Sequence, residues 1–184
     1  MDKLTVYNGM RDQLQTGDCL LWGSNTILGW LIRKFTHAEV NHASVVVVLF
    51  DGTPQKRIYH VEALEKGPDL KCLSNVLRKY KGKVWWYPLK KEFDSYRFDM
   101  GVRALDFEAE DIGYDYWTLI CNAWQHVKAA ANKVICSEVW YFAVKSAVPL
   151  LDLYWTGDKS LLGKAPTPAD IPKFDVFKFG MRIL

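Results

Sequence analysis

With 184 residues, 49% of them hydrophobic, the chain has the length of one domain and enough apolar side chains for one core. Its 24 Lys and Arg stand against 21 Asp and Glu, for a net charge of +3, and they are scattered along the chain, which excludes the charge signature of a nucleic-acid binder. Met1 to Gln15 lacks the apolar stretch of a secretory signal, and the run Val45 to Phe50 falls far short of the ~20 residues of a membrane helix. A single cytoplasmic domain over residues 1–184, with no integral membrane segment, is expected. Cys19, Cys72, Cys121 and Cys136 lack zinc-site spacing, and a chain with a full core needs no disulfide staples, so thiols are expected.

Asp18 to Trp22 reads as a short buried strand. After the Gly23-Ser24-Asn25 break, Ile27, Leu28, Trp30, Leu31 and Phe35 recur at helical spacing, with Ser24 or Asn25 placed to cap a first helix. Arg33 and Lys34 give that helix a basic edge, which fits either a core helix or one resting on a membrane surface. Ser44 to Phe50 is a β-branched run of strand length, expected to be buried on both faces. Asp51-Gly52-Thr53-Pro54 breaks it and Lys56 to Leu64 follows, so the two strands form a hairpin.

A third strand is expected from Lys83 to Leu89, where Trp85 and Trp86 must face opposite sides and one can line a groove. A helix opens at Asp94 or Ser95 and runs to about Glu110. Tyr116, Leu119, Ile120, Ala123, Trp124, Val127 and Ala130 form the clearest helical stripe. A last helix begins near Cys136, after a strand-like Lys133-Val134-Ile135, and buries Val139, Trp140, Ala143 and Ala147. The tail, with Pro166, Pro168 and Pro172, is expected to run extended over the surface or along a sheet edge. Strands cluster in one part of the chain and helices in another, which indicates α+β layers.

Three positions carry the chemistry. Cys136 opens an amphipathic helix, where the helix field favours a thiolate; a small buried hydrophobe is the alternative for any lone cysteine. Cys19 and Cys121 read as packing. His42 stands at the mouth of the β-branched strand, where an imidazole can face a cleft. With the hairpin turn centred on Thr53, residue 42 lies opposite 64 and residue 44 opposite 62, so His42 and Glu62 become diagonal neighbours on one sheet face. Glu62 is then the group that orients the imidazole. A register shifted by two would make His60 the partner. A metal site from His37, His42, His60 and Glu62 is a rival, although His37 and His42 are poorly spaced for either a helix or a strand. His126, on the striped helix, is assigned no role.

In series, Thr16-Gly17-Asp18-Cys19-Leu20-Leu21-Trp22, Asn41-His42-Ala43-Ser44-Val45-Val46-Val47, Val61-Glu62-Ala63, Gly113-Tyr114-Asp115 and Cys136-Ser137-Glu138-Val139-Trp140 resemble the circularly permuted papain-like cysteine hydrolases of the NlpC-type superfamily, in particular the YiiX-like group. The order carries the resemblance, because the histidine precedes the cysteine as in the permuted members. Pro168-Ala169-Asp170-Ile171 is similar to a Pro-Ala-Asp-Leu segment near their end. Asn41 and Ser44 stand where that pattern has serine and glycine.

The resemblance implies a permuted papain-like fold with an antiparallel sheet packed against helices and a nucleophile as the first residue of its helix. It implies Cys136 as nucleophile, His42 as base, Glu62 as orienter, the Cys136 amide in the oxyanion hole, and Tyr114 lining the site or assisting the oxyanion. The expected activity is that of an amidase, peptidase or related acyl hydrolase acting through an acyl-thioester, without a cofactor or metal. The substrate would be a peptide, a peptidoglycan fragment or an acyl lipid. Lipid acyl transfer on the same fold is an alternative, and a binding module that has lost turnover is another.

Overall fold

A run of four valines cannot stay exposed, and its length suits a strand, so the sheet grows around it. The computed structural model describes residues 3–24, 38–50, 55–64, 67–109, 135–158 and 166–184, and for Leu64, Glu108, Ala109 and Ile135 to Glu138 the backbone without the side chains. The expected first helix, the stripe from Tyr116 to Ala130, and with them His37, Tyr114, Cys121 and His126, lie outside the described residues.

The described strands are β1 (Cys19–Gly23), β2 (His42–Leu49), β3 (Arg57–Leu64), β4 (Gly67–Cys72), β5 (Lys83–Tyr87) and β6 (Met181–Arg182). They form one antiparallel sheet in the order β4-β3-β2-β1-β5-β6. The described helices are α1 (Thr5–Met10), α2 (Leu73–Lys79), α3 (Arg97–Ala109), preceded by a 3-10 turn from Lys91 to Tyr96, and α4 (Ile135–Ala147). The protein is thus α+β, an antiparallel sheet packed against helices. No helix among the described residues is long and apolar enough to cross a membrane.

Side-chain alternation divides the core between the two sheet faces. Odd-numbered Ala43, Val45, Val47, Val61 and Ala63 pack with Val139, Trp140, Ala143 and Val144 of α4 and with Met100 and Ala104 of α3. Even-numbered Val46 and Ile58, with Leu20 and Trp22 of β1, pack under Tyr7 of α1 and Leu73 and Leu77 of α2. Trp85 and Trp86 do fall on opposite faces, Trp86 fully in the core and Trp85 at its edge.

Four expectations need correction. Ile135, expected to be strand-like, is helical, and Cys136 follows it within α4. Strand β5 stops at Tyr87, because the main-chain amide of Leu89 turns inward to donate to the Asp18 carboxylate at 3.1 Å. The tail is not a surface strap: Ile171, Phe174, Val176 and Ile183 are buried, and only its last turn reaches the sheet edge as β6. Residues between the third and fifth strands, for which no element was expected, form β4 and α2.

The sheet is pinned to α3 by one buried carboxylate. Asp18 accepts at Oδ2 from the Gln15 amide (3.0 Å) and Trp86 Nε1 (2.8 Å), and at Oδ1 from the Leu89 amide and Arg97 Nη1 (2.9 Å). Gly17 precedes it at φ +90°, and a Cβ there would stand 2.5 Å from Met100 Sδ. The Gly-Asp pair therefore needs glycine for a left-handed turn and aspartate for four donors.

Candidate active site

The pairing of β2 with β3 runs from Val45 opposite Val61 to Leu49 opposite Arg57, and one further step sets Ser44 opposite Glu62. This is the register expected from a turn centred on Thr53. His42 is the first residue of β2, and its Nε2 lies 2.6 Å from Oε2 of Glu62. The other carboxylate oxygen accepts from Lys71 Nζ at 3.0 Å, and Lys71 also meets Asp69 at 3.0 Å. Both oxygens of a carboxylate only 11% exposed are thus engaged by basic groups.

Burial alone would raise the Glu62 carboxyl. The hydrogen bond and charge of His42, the charge of His60 and the Lys71 ammonium outweigh it and hold the group at about 2. Glu62 is therefore an anion across the neutral range, which favours the tautomer with the proton on Nε2.

The imidazole rests on a built floor. Trp22, directly opposite His42 across β1 and β2, stands with its ring centroid 6.5 Å from that of His42 and donates from Nε1 to Ser44 Oγ at 2.8 Å. Beyond the strand, the Asn41 amide donates to the Trp22 carbonyl and the Asn41 side-chain carbonyl accepts from the Ser24 amide. The serine that replaces the glycine of the resembled pattern is thus an acceptor for the indole, and the asparagine that replaces its serine closes the ladder at the imidazole.

No known family model matches the chain, and no curated protein matches its sequence.

His60 does not partner His42, since the register is not shifted. It is fully buried, its ring 5.0 Å from Trp22, and neither ring nitrogen finds a hydrogen-bond partner among the described residues. Burial drives it down to about 4, with His42 and Lys71 adding to the effect and Glu62 and Asp69 opposing it. It is a neutral imidazole used as packing. The metal rival gains nothing from these positions: among the described residues no group of three potential metal ligands is present, and His37 lies outside them. Lys71 is the residue that the sequence did not reveal, because the strand that presents it, β4, carries Gly67 and Pro68 and no alternation of apolar side chains.

Cys136 lies in α4, in the first described turn of that helix. The buried stripe of α4 meets the odd face of the sheet, whereas His42 and Glu62 project from the even face. Tyr114 lies outside the described residues.

Proposed function

We propose that this chain is a cysteine-dependent acyl hydrolase of the permuted papain-like kind, an amidase or peptidase in which Cys136 is the nucleophile, His42 the base and Glu62 the orienting carboxylate. The observation that carries the proposal is the 2.6 Å contact between His42 Nε2 and Glu62 Oε2, a pair of titratable side chains held at a strand mouth by Lys71 and Trp22. Structural ion pairs rarely commit an imidazole at a strand end, and a base–orienter pair requires it.

In the mechanism, Nδ1 of His42 takes the thiol proton and the thiolate attacks the substrate carbonyl carbon. The Cys136 amide, at a helix start, donates to the oxyanion, and Tyr114 lines the site. Collapse expels the amine, which leaves with the proton held by His42, and an acyl-thioester remains. Water then adds with His42 as base, releasing a carboxylic acid and the thiol. An amine or hydroxyl acceptor in place of water gives transfer, as in lipid acyl exchange.

A dihaloacetone, which joins a thiol and an imidazole that share one site, tests the pairing directly. Wild-type protein should give an intramolecular Cys136–His42 cross-link found by peptide mapping, and Glu62→Gln should form it more slowly. In parallel, peptidoglycan fragments, acyl-peptides and phospholipids are screened with wild type and Cys136→Ala. Turnover of any of them that survives intact in Cys136→Ala, or a reagent that labels Cys136 without ever reaching His42, overturns the assignment.

A further inference from the structure

The end of β2 remote from His42 carries a different feature. Seven residues separate His42 from Leu49, roughly 23 Å of extended strand, and beyond them a cavity of about 460 Å³ opens between the end of β2 and α3. Phe98, Gly101, Val102 and Leu105 line one wall, spaced along a single face of α3 for about 10 Å. Phe50 stands at the other side, and Phe50 and Phe98 are 71% and 78% exposed, an expensive position for two phenyl rings unless something covers them.

The charge in this groove has one sign. Among the described residues its lining contains two cations, Lys56 and Arg97, and no Asp or Glu. Arg97 is already engaged by Asp18 and Asp94. Lys56 instead donates to the main-chain carbonyl of Asp12, a neutral partner, and no carboxylate pairs with it among the described residues. A long apolar trough with one cation fits an unbranched amphiphile with an anionic head better than a compact or neutral ligand.

We propose that the groove binds a medium-chain fatty carboxylate, its chain along the α3 face from Phe98 to Leu105 and its carboxylate at Lys56. This site is independent of the His42–Glu62 pair and stands whether or not the chain is a hydrolase.

The test is calorimetric titration of the whole chain with dodecanoate, below the concentration at which that soap forms micelles, with dodecanol as the neutral counterpart. Wild type should bind dodecanoate saturably at one site. Val102→Trp, a substitution at an exposed helix position that fills the trough, should weaken binding by about tenfold or more. Lys56→Met should weaken dodecanoate by about tenfold and dodecanol by less than about twofold. Near-ultraviolet circular dichroism shows that each variant keeps the fold. The proposal is overturned if dodecanoate does not saturate, if Val102→Trp binds it as wild type does, or if phosphatidylglycerol vesicles are bound while dodecanoate is not.

Discussion

Replacing Glu62 with Gln keeps the size of the side chain and removes the charge that both His42 and Lys71 address. In the folded protein the carboxyl is held at about 2, against 4.5 for an ordinary glutamate. At ~1.4 kcal/mol per tenfold change in proton affinity, that displacement stabilises the fold by about 3 kcal/mol at neutral pH. Its sign is definite. A carboxyl depressed in the native state binds its proton first in the unfolded chain, so the stabilisation is complete above about 4.5 and disappears as the pH falls through 2. His60 also takes up a proton near 4 in the folded chain, but it does so in both proteins, so the difference between their curves belongs to the carboxylate. The assay is urea unfolding of wild type and Glu62→Gln at a series of pH values from 7 to 2. The variant should start less stable by up to about 3 kcal/mol, and the two curves should converge as the pH falls from 5 to 2. Curves that stay parallel over that interval would refute an ionised, doubly engaged Glu62.

His60→Phe separates a second acid-sensitive group from the first. Because the buried imidazole titrates near 4 instead of 6.5, wild type should lose about 3 kcal/mol between pH 6.5 and 4 that the Phe variant keeps, as read by the same unfolding series. Asp18→Asn puts an amide nitrogen against N–H donors whichever way it turns and strips Arg97 of its buried counter-charge. It should cost about 3–5 kcal/mol in denaturant unfolding, and a loss under about 1 kcal/mol would mean that the network is not cooperative. Gly17→Ala forces a Cβ onto φ +90° and against Met100 Sδ, and should lower thermal stability by an amount equivalent to about 1–3 kcal/mol, with calorimetry as the check.

What the sequence made legible follows from where its signals are strongest. The β-branched run and the turn residues after it give the register of β2 on β3 that the structure has, and that register, which a one-residue slip would lose by sending Glu62 to the opposite face, brings Glu62 to His42. Alternation also separates Trp85 from Trp86 correctly. Strand β4 escaped because it is an edge strand whose residues, from Gly67 to Cys72, include a proline and two charged side chains, so nothing periodic marks it. The tail escaped for the opposite reason. Prolines at 166, 168 and 172 suggest an exposed run, but the turns they impose drop Ile171, Phe174 and Val176 one by one into the odd-face core beside Trp140. Ile135 reads as strand because it is β-branched and follows a valine in the sequence, yet it lies in α4.

The split of the core between two sheet faces constrains the chemistry more tightly than any single distance. The His42 imidazole projects from the face opposite α4, and as the first residue of its strand it stands at the end of the sheet. Two residues further in, at the position of Ser44, the same imidazole would stand under Trp22 with the whole sheet between it and the helix. The same reasoning explains why Ser44 is small and buried and why Asn41 continues the ladder past the imidazole: a base at a strand mouth has support from one side only, and the hydrogen bonds of Asn41 to Trp22 and Ser24 supply the other. Glu62 and Lys71, each one strand further out, complete a row in which every charge is answered by its neighbour on the next strand. Such a row costs side-chain ordering and desolvation that threonine or valine at the strand end would avoid, and what it yields is an imidazole held in one orientation beside an anion.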